Sequence, residues 1–239
     1  QTVAGPYRLG VIPTLDPYVL PLLLPEFQKR FQDVKLSVRE LTTDEITALL
    51  KSDELDGGIL AIPLEDPELH EIPLFDEPFC VYAAGSVAQS MAASQVTLGD
   101  LPFEKIVMLS EGHCLRTQII DFCALAEDTM ERGFSLEAGS VNTLMKMVER
   151  TETFTILPQL AVADLTPAQA RDHIFAFKGS IPYRKVGLIT HRAEVKAAID
   201  QALVQVIQGV MPLEQLQFDT SLGQLMEPVG GHRLAADGV

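Results

Sequence analysis

Apolar and amphipathic stretches alternate along the first quarter of the chain. Residues 7–12 alternate into an apolar run and residues 57–62 are apolar throughout, which is typical of buried strands. Residues 34–41 alternate apolar and polar side chains and predict another strand. Residues 16–31 and 43–50 lie between these stretches and predict helices. The order strand, helix, strand, helix, strand indicates a doubly wound α/β unit.

The same alternation resumes after a proline-rich stretch at residues 72–78, which we interpret as a linker. Strands are predicted at residues 79–84, 105–109, 133–137, 154–157, 174–177 and 186–190. Helices are predicted at residues 115–126, 141–150 and 194–210, the last with an apolar stripe that includes Val195. We therefore expect the second half of the chain to be α/β as well.

Local signals mark where two helices begin. Asp16 precedes Pro17 and predicts an N-cap followed by proline in the first turn, whereas Pro25 is expected to kink the same helix. Residues 42–45 have the Thr-x-x-Glu spacing of a capping box. Thr43 lies within this box, so a capping role competes with a ligand-binding role at the carboxyl end of a strand.

The stretch with the clearest chemistry is GHCLR at residues 112–116. Cys114 lies at the predicted junction of a strand and a helix, the usual ligand position in an open α/β sheet. A helix N-terminus and cationic neighbours lower a thiol pKa, and His113 and Arg116 supply such neighbours. The thiolate is the form that reacts with peroxides and disulfides. With a second thiol at Cys123, the stretch predicts a redox switch.

The spacing of the two cysteines has a mechanical consequence. On a helix, nine residues place the Cα atoms of Cys114 and Cys123 roughly 13 Å apart. A disulfide needs a Cα separation of less than about 7 Å. Bond formation would therefore require the segment to unwind or move, which suits a sensor better than a structural staple.

Each candidate residue also has an ordinary structural interpretation. Free cysteine behaves as a small hydrophobe, and Cys123 adjoins an apolar helix face while Cys80 lies in an apolar run. We expect Cys80 to be an inert core thiol. The imidazole of His113 could simply form a hydrogen bond at the helix entry. Arg184, at the start of a predicted strand, could be a surface arginine.

Composition narrows the possible functions. A formal net charge of −15 should repel phosphate backbones, so we do not expect these residues alone to bind DNA. No apolar run reaches the roughly 20 residues of a membrane span. Three cysteines and no signal peptide indicate a reducing cytoplasm, where disulfides are usually transient. Without zinc-ligand spacing, a phosphate-binding glycine loop or a nucleophile elbow, no metal or cofactor is expected.

GHCLR, followed by a cysteine at position 123, resembles the peroxide-sensing members of the LysR-type transcriptional regulators. Residues 10–14 (GVIPT), 17–18 (PY), 73–78 (PLFDEP) and 186–188 (VGL) are similar to family segments in the same order. The resemblance implies two Rossmann-like subdomains joined by two crossover strands, as in periplasmic binding proteins. It implies subdomain I at residues 5–77 plus 185–222, subdomain II at residues 78–184, and an irregular tail at residues 223–239.

The resemblance also implies roles for particular residues. Cys114 would be oxidised by hydrogen peroxide to a sulfenic acid and would then form a reversible disulfide with Cys123. A set of four residues would line or support the peroxide pocket, with Arg116 in a supporting role: Thr14, Thr43, His113 and Arg184. The stretch at residues 149–154 and the extra thiol at Cys80 depart from the family pattern.

The implied whole protein is a cytoplasmic transcriptional activator rather than an enzyme. Its partners would be a second copy in a homodimer or homotetramer, DNA through a helix-turn-helix domain outside this chain, RNA polymerase, and a reductant of the glutaredoxin or thioredoxin type. Two alternatives stay open. The same fold could bind a metabolite anion in its cleft with the cysteines incidental, or the chain could be a thiol peroxidase with many turnovers.

Overall fold

The structure is a computed structural model that describes residues 3–91, 94–124, 137–191 and 195–228. A single mixed sheet runs through it. Its strands are β1 (Gly5–Val11), β2 (Val34–Glu40), β3 (Gly57–Ile62), β4 (His70–Ala83), β5 (Gln95–Val96), β8 (Phe154–Pro158), β9 (Ile174–Phe177), β10 (Ile181–Thr190) and β11 (Gly223–Leu225), and a separate pair is formed by β6 (Met108–Leu109) and β7 (Glu137–Ala138). The helices are α1 (Asp16–Arg30), α2 (Thr43–Lys51), α3 (Gly85–Ser90), α4 (Cys114–Cys123), α5 (Val141–Thr151), α6 (Pro167–His173) and α7 (Ala197–Val210).

The first half of the fold is a parallel β2-β1-β3 arrangement covered by helices. β1 pairs in parallel with both neighbours, and β3 is buried at every position, as its apolar sequence predicts. Thr42 caps α2, and the reciprocal bond from its backbone to Glu45 completes the predicted capping box. The predicted strand–helix alternation is confirmed here.

The beginning of α1 differs from the sequence-based expectation. Leu15, not Asp16, occupies the N-cap, and no side chain caps the helix. Pro25 lies inside α1 and does not end it. Packing is the physical reason, because Val19, Leu23 and Phe27 are buried in the core along the length of this helix.

Two long antiparallel strands, β4 and β10, cross from one half of the molecule to the other. β4 pairs with β10 over residues 70–78 and then with β8 and β9 over residues 79–83. The predicted linker at residues 72–78 is therefore wrong, because this stretch belongs to β4. Prolines are tolerated there since β4 pairs with β10 alone over those residues, leaving its other edge free of ladder bonds.

The second half has shorter strands than the periodicity indicated. Residues 103–105 form a 3₁₀ turn, and of the predicted strand at 105–109 only Met108–Leu109 forms a regular strand, while Ile106 makes an isolated bridge to Phe154. The strand predicted at residues 133–137 lies mostly outside the described residues; its last residue, Glu137, begins the two-residue strand β7. α5 begins at Val141 with the Ser140 hydroxyl as its cap. The α/β character of this half is confirmed.

Two clusters of buried side chains form separate cores. The first gathers the apolar residues of β1, β3, α1, α2 and α7, and the second those of β8, α4, α5 and the end of β4. Cys114 packs against the first cluster, whereas its immediate neighbour Leu115 is wholly buried in the second. The start of α4 therefore lies where the two halves meet.

The C-terminal part of the chain is more ordered than expected. α7 begins at Ala197, and Val195 is 70% exposed instead of belonging to its apolar stripe; Glu194, where the helix was predicted to begin, lies outside the described residues. β11 pairs in parallel with residues 181–183 of β10. The prediction of an irregular tail is wrong for residues 223–225, because backbone pairing does not depend on a strong side-chain pattern.

None of the described helices is both long and apolar enough to span a membrane.

Candidate functional site

A tight turn delivers Cys114 to the first position of α4. Gly112 has a φ of +89°, a conformation that glycine adopts without steric cost, and His113 is the N-cap residue. The His113 side chain makes no capping hydrogen bond, so the helix-entry role considered for it is not observed. The thiol of Cys114 therefore sits beside the free N–H groups of a helix start.

Arg116 closes this turn instead of facing the thiol. Its Nη1 donates to the carbonyl oxygen of Leu109, 3.2 Å away, at the end of β6. The expectation that Arg116 supplies the cation next to Cys114 is therefore wrong. Its supporting role is structural, because it ties the first turn of α4 to the preceding strand.

The cation near Cys114 is Arg184, from the crossover strand β10. Its guanidinium is wholly buried. It donates to the Thr14 hydroxyl at 2.9 Å and to the Thr14 carbonyl oxygen at 3.3 Å. The surface-arginine interpretation is wrong. The expected pocket residues Thr14 and Arg184 are thus joined to each other and lie close enough to Cys114 for the positive charge to affect its pKa.

Glu77 balances the charge of Arg184. The Nε and Nη2 atoms of Arg184 each lie 2.8 Å from Glu77 Oε2, and the backbone N–H of Leu160 donates to Oε1 at 2.9 Å. Glu77 and Arg184 are direct cross-strand partners on β4 and β10, and both are fully buried. Sequence reasoning missed Glu77, because nothing in the one-dimensional pattern distinguishes it from other acidic residues.

Thr43 directs its hydroxyl at the Cys114 thiol. Because Thr42 performs the capping, the Thr43 side chain is not needed for that role. Its Oγ1 is buried and forms no regular hydrogen bond among the described residues, but it lies close enough to the Cys114 sulfur to act to lower the pKa of that thiol. Thr14 and Thr43 follow the carboxyl ends of the neighbouring strands β1 and β2, and this places both on the Cys114 side of the first half.

In the resting thiol, burial affects the pKa of Cys114 more than the neighbouring polar and charged groups do. Burial raises the pKa of Cys114, while Arg184, Thr43 and the backbone N–H groups of Cys114 and Leu115 act to lower it. The expected net lowering of the pKa is therefore wrong. The groups around the sulfur nonetheless all favour negative charge at that point.

His113, the residue before Cys114, is half-buried. Burial lowers its pKa, and the carboxylate of Glu40 opposes this only in part. A lowered pKa means that the imidazole is neutral at pH 7 and able to accept a proton.

Cys123 has a different environment at the other end of α4. It is the last residue of the helix and is followed by Ala124 in the left-handed conformation. Burial raises the pKa of the Cys123 thiol to about 12, and it packs against the second cluster. No disulfide joins it to Cys114. With a continuous helix between them, their Cα atoms are roughly 13 Å apart, as expected.

Cys80 is a core residue, as predicted. It is 3% exposed on β4, and burial raises the pKa of its thiol to about 12. Among the described residues no group of three His, Cys, Asp or Glu side chains is arranged to hold a metal ion.

Comparison with known proteins shows the family of this chain. The family model "LysR substrate binding domain" matches residues 1–212. The DNA-binding transcriptional dual regulator OxyR of Escherichia coli K12 is 37% identical over 218 residues, which cover 88% of this chain and 68% of that protein. The chain belongs to the LysR substrate-binding domain family and is of the OxyR type.

Solved OxyR-type structures resemble the fold over nearly its whole length. OxyR from Porphyromonas gingivalis superposes with a TM-score of 0.82 at 26% identity, covering 94% of this chain and all of that one. A reduced form of OxyR gives a TM-score of 0.76 at 31% identity, covering 92% of this chain and all of that one. The chain spans 53% to 68% of the length of the first curated OxyR-type relatives it matches.

Proposed function

We propose that this chain is the regulatory domain of a peroxide-responsive transcription factor in which Cys114 is the sensing thiol and Cys123 the resolving thiol. One observation carries the proposal. The Cys114 sulfur lies at a helix N-terminus, beside the Thr43 hydroxyl and within the field of the buried Arg184, where developing negative charge is stabilised. Relatives named hydrogen peroxide-inducible genes activators support it.

The first step is attack of the Cys114 thiolate on one oxygen of hydrogen peroxide. A sulfur–oxygen bond forms, the oxygen–oxygen bond breaks, and hydroxide leaves. The neutral imidazole of His113 takes the thiol proton, which then converts the leaving hydroxide to water. Thr43 and Arg184, held by Thr14, donate hydrogen bonds to the peroxide oxygens. The product is a sulfenic acid on Cys114.

The second step joins the two thiols. The Cys123 sulfur attacks the Cys114 sulfur, the sulfur–oxygen bond breaks, and a second water is released. The ten-residue helix α4 has to unwind for the sulfurs to meet. Cys114 then leaves its contacts with the first cluster, and this displacement alters how the two halves pack.

The rearrangement would be passed on through the assembly. We assign residues 5–77 plus 185–222 to subdomain I and residues 78–184 to subdomain II, in a homodimer or homotetramer. DNA contact belongs to a separate helix-turn-helix domain, since a net charge of −15 disfavours phosphate binding here. RNA polymerase and a reductant of the glutaredoxin or thioredoxin type complete the cycle, in the cytoplasm.

The test is mass spectrometry of cysteine peptides after titration with stoichiometric hydrogen peroxide under anaerobic quenching. We expect a Cys114–Cys123 link, with Cys80 still available for alkylation after denaturation. Unmodified Cys114 and Cys123 would refute the proposal and direct attention to a metabolite anion in the cleft. Many turnovers with a thiol reductant would instead indicate a peroxidase.

A further inference from the structure

The C-terminal strap, residues 223–226, connects the helix between the two cysteines to a crossover strand. Its strand β11 pairs with the start of β10, and the Met226 N–H donates to the Tyr183 carbonyl oxygen at 2.8 Å. The Gln118 side chain, in the middle of α4, donates from Nε2 to the Met226 carbonyl oxygen at 2.7 Å. Through Met226, α4 is thereby connected to Tyr183 of β10, the residue before Arg184.

The strap itself is firmly anchored. The Met226 side chain is 3% exposed and belongs to the second cluster. The Ser180 hydroxyl donates to Gln224 Oε1 at 2.7 Å, next to the paired backbone. The strap therefore behaves as part of the sheet, and Gln118 ties α4 to a fixed element.

Gln118 is an unusual residue for its position. Its side chain is wholly buried, and its Oε1 atom has no hydrogen-bond partner within the described part of the chain. A buried polar atom without a partner destabilises the folded state, so an apolar residue would suit mere packing better. Gln118 also follows Cys114 by four residues, which places the two side chains on neighbouring turns of the same helix face.

We infer that Gln118 is a positioning residue for the resolving step, an inference that rests on the proposed function. Its bond to Met226 holds α4 helical while Cys114 is a thiol or a sulfenic acid. The bond has to break before the Cys123 sulfur can displace hydroxide from the Cys114 sulfenic acid, with the Cys123 proton converting that hydroxide to water. Disulfide formation accordingly releases α4 from the strap.

The kinetic test compares wild type with Gln118→Leu, which keeps similar bulk but removes the donor. Single-turnover oxidation by hydrogen peroxide is quenched with dimedone and N-ethylmaleimide, so that mass spectrometry separates sulfenic acid from disulfide. We expect formation of the disulfide from the sulfenic acid to quicken by roughly three- to tenfold, as loss of one buried hydrogen bond implies. The rate of sulfenic acid formation should change much less.

Tyr82→Phe is the matched control. It removes one hydrogen bond in the same half of the molecule, from the Tyr82 hydroxyl to Glu149, without touching α4 or the strap. We expect both rates to match those of wild type. An equal acceleration in Tyr82→Phe would attribute the effect to general destabilisation and overturn the inference.

Hydrogen exchange on the wild-type protein tests the same inference without a substitution. We expect the α4 amides around Gln118 to lose protection in the disulfide form relative to the reduced form, while the Met226 amide, which is bonded to β10, keeps its protection. Equal protection of those α4 amides in both forms, or equal resolving rates in wild type and Gln118→Leu, would overturn the role of Gln118 while leaving the peroxide chemistry intact. Absence of any disulfide in the wild type would overturn both.

Discussion

The two ends of α4 place chemically identical thiols in contrasting surroundings. Burial raises the pKa of both Cys114 and Cys123. At the first end, a hydroxyl, helix N–H groups and a buried guanidinium oppose that effect, whereas at the second end burial is the single cause of the shift. Under the proposed function, the sensing thiol is therefore distinguished by the groups that would stabilise its negative charge rather than by a low resting pKa.

Replacing each thiol in turn should have the largest effect on the reaction with peroxide. We expect Cys114→Ser to abolish the reaction with stoichiometric peroxide, because the stabilised attacking sulfur is gone. Cys123→Ser should still react and should stop at a sulfenic acid, since only the resolving thiol is missing. Dimedone labelling followed by mass spectrometry distinguishes the two outcomes. Sulfenic acid at Cys123 in the Cys114→Ser variant would contradict the assigned roles.

Removing the buried guanidinium should have the next largest effect. Arg184→Met leaves Glu77 buried without its cation, which we expect to lower the free energy of unfolding by about 3–5 kcal/mol. The pKa of Cys114 should rise further, while that of Cys123 should not change. Urea denaturation and the pH dependence of iodoacetamide alkylation measure the two quantities.

The adjacent cross-strand pair offers a control for this substitution. Lys185 and Asp76 form an ion pair on the same two strands, but their side chains are 40% and 38% exposed. Lys185→Met should therefore change the free energy of unfolding by less than about 1 kcal/mol. Similar losses in Arg184→Met and Lys185→Met would show that burial of the pair does not matter.

The hydroxyl beside the sensing sulfur should have a smaller effect. Thr43→Val removes the hydroxyl that acts to lower the pKa of Cys114, so we expect the peroxide reaction at Cys114 to slow by roughly tenfold. Thr47→Val, on the same helix, removes a bond to the Asp44 carbonyl instead and should leave the rate unchanged. Stopped-flow peroxide consumption gives both rates. Equal rates in wild type and Thr43→Val would remove Thr43 from the site.

The smallest expected effect is a dependence of stability on pH. A thiol whose folded pKa is raised stabilises the fold fully below its unfolded pKa, near 8.5, and this contribution is lost as pH rises through the folded value. For Cys80 and Cys123, whose pKa values lie at about 12, the free energy of unfolding should fall between about pH 9 and 12.

Cysteine variants sharpen this prediction. Cys123→Ser should flatten the decline in stability, because a thiol with a pKa of about 12 in the folded state no longer contributes to it. Denaturation curves at several pH values measure the slope. An unchanged slope in Cys123→Ser would contradict the prediction.

Features that depend on local sequence could be predicted, and those that depend on tertiary neighbours could not. The apolar run of β3, the capping box of α2 and the junction that carries Cys114 each follow from a few consecutive residues. The helix between the two thiols, and hence their separation, follows in the same way.

The features that were predicted wrongly depend on residues of β10, which are distant in sequence. Arg116 is adjacent to Cys114 in sequence, but the cation near the sulfur comes from position 184, seventy residues further along the chain. The continuity of β4 through its prolines and the pairing of β11 both depend on β10. Burial of the thiol, which reverses the expected pKa direction, is likewise a property of the packed cores.

The cross-strand pair of Glu77 and Arg184 also restricts how this protein can diverge. Both side chains are wholly buried and face each other on the two crossover strands. A change at either position alone therefore leaves a buried charge without a partner. Single-step drift is therefore blocked at both positions. In related sequences the two residues should be retained together or replaced together, giving a covariation signal that links positions 107 residues apart.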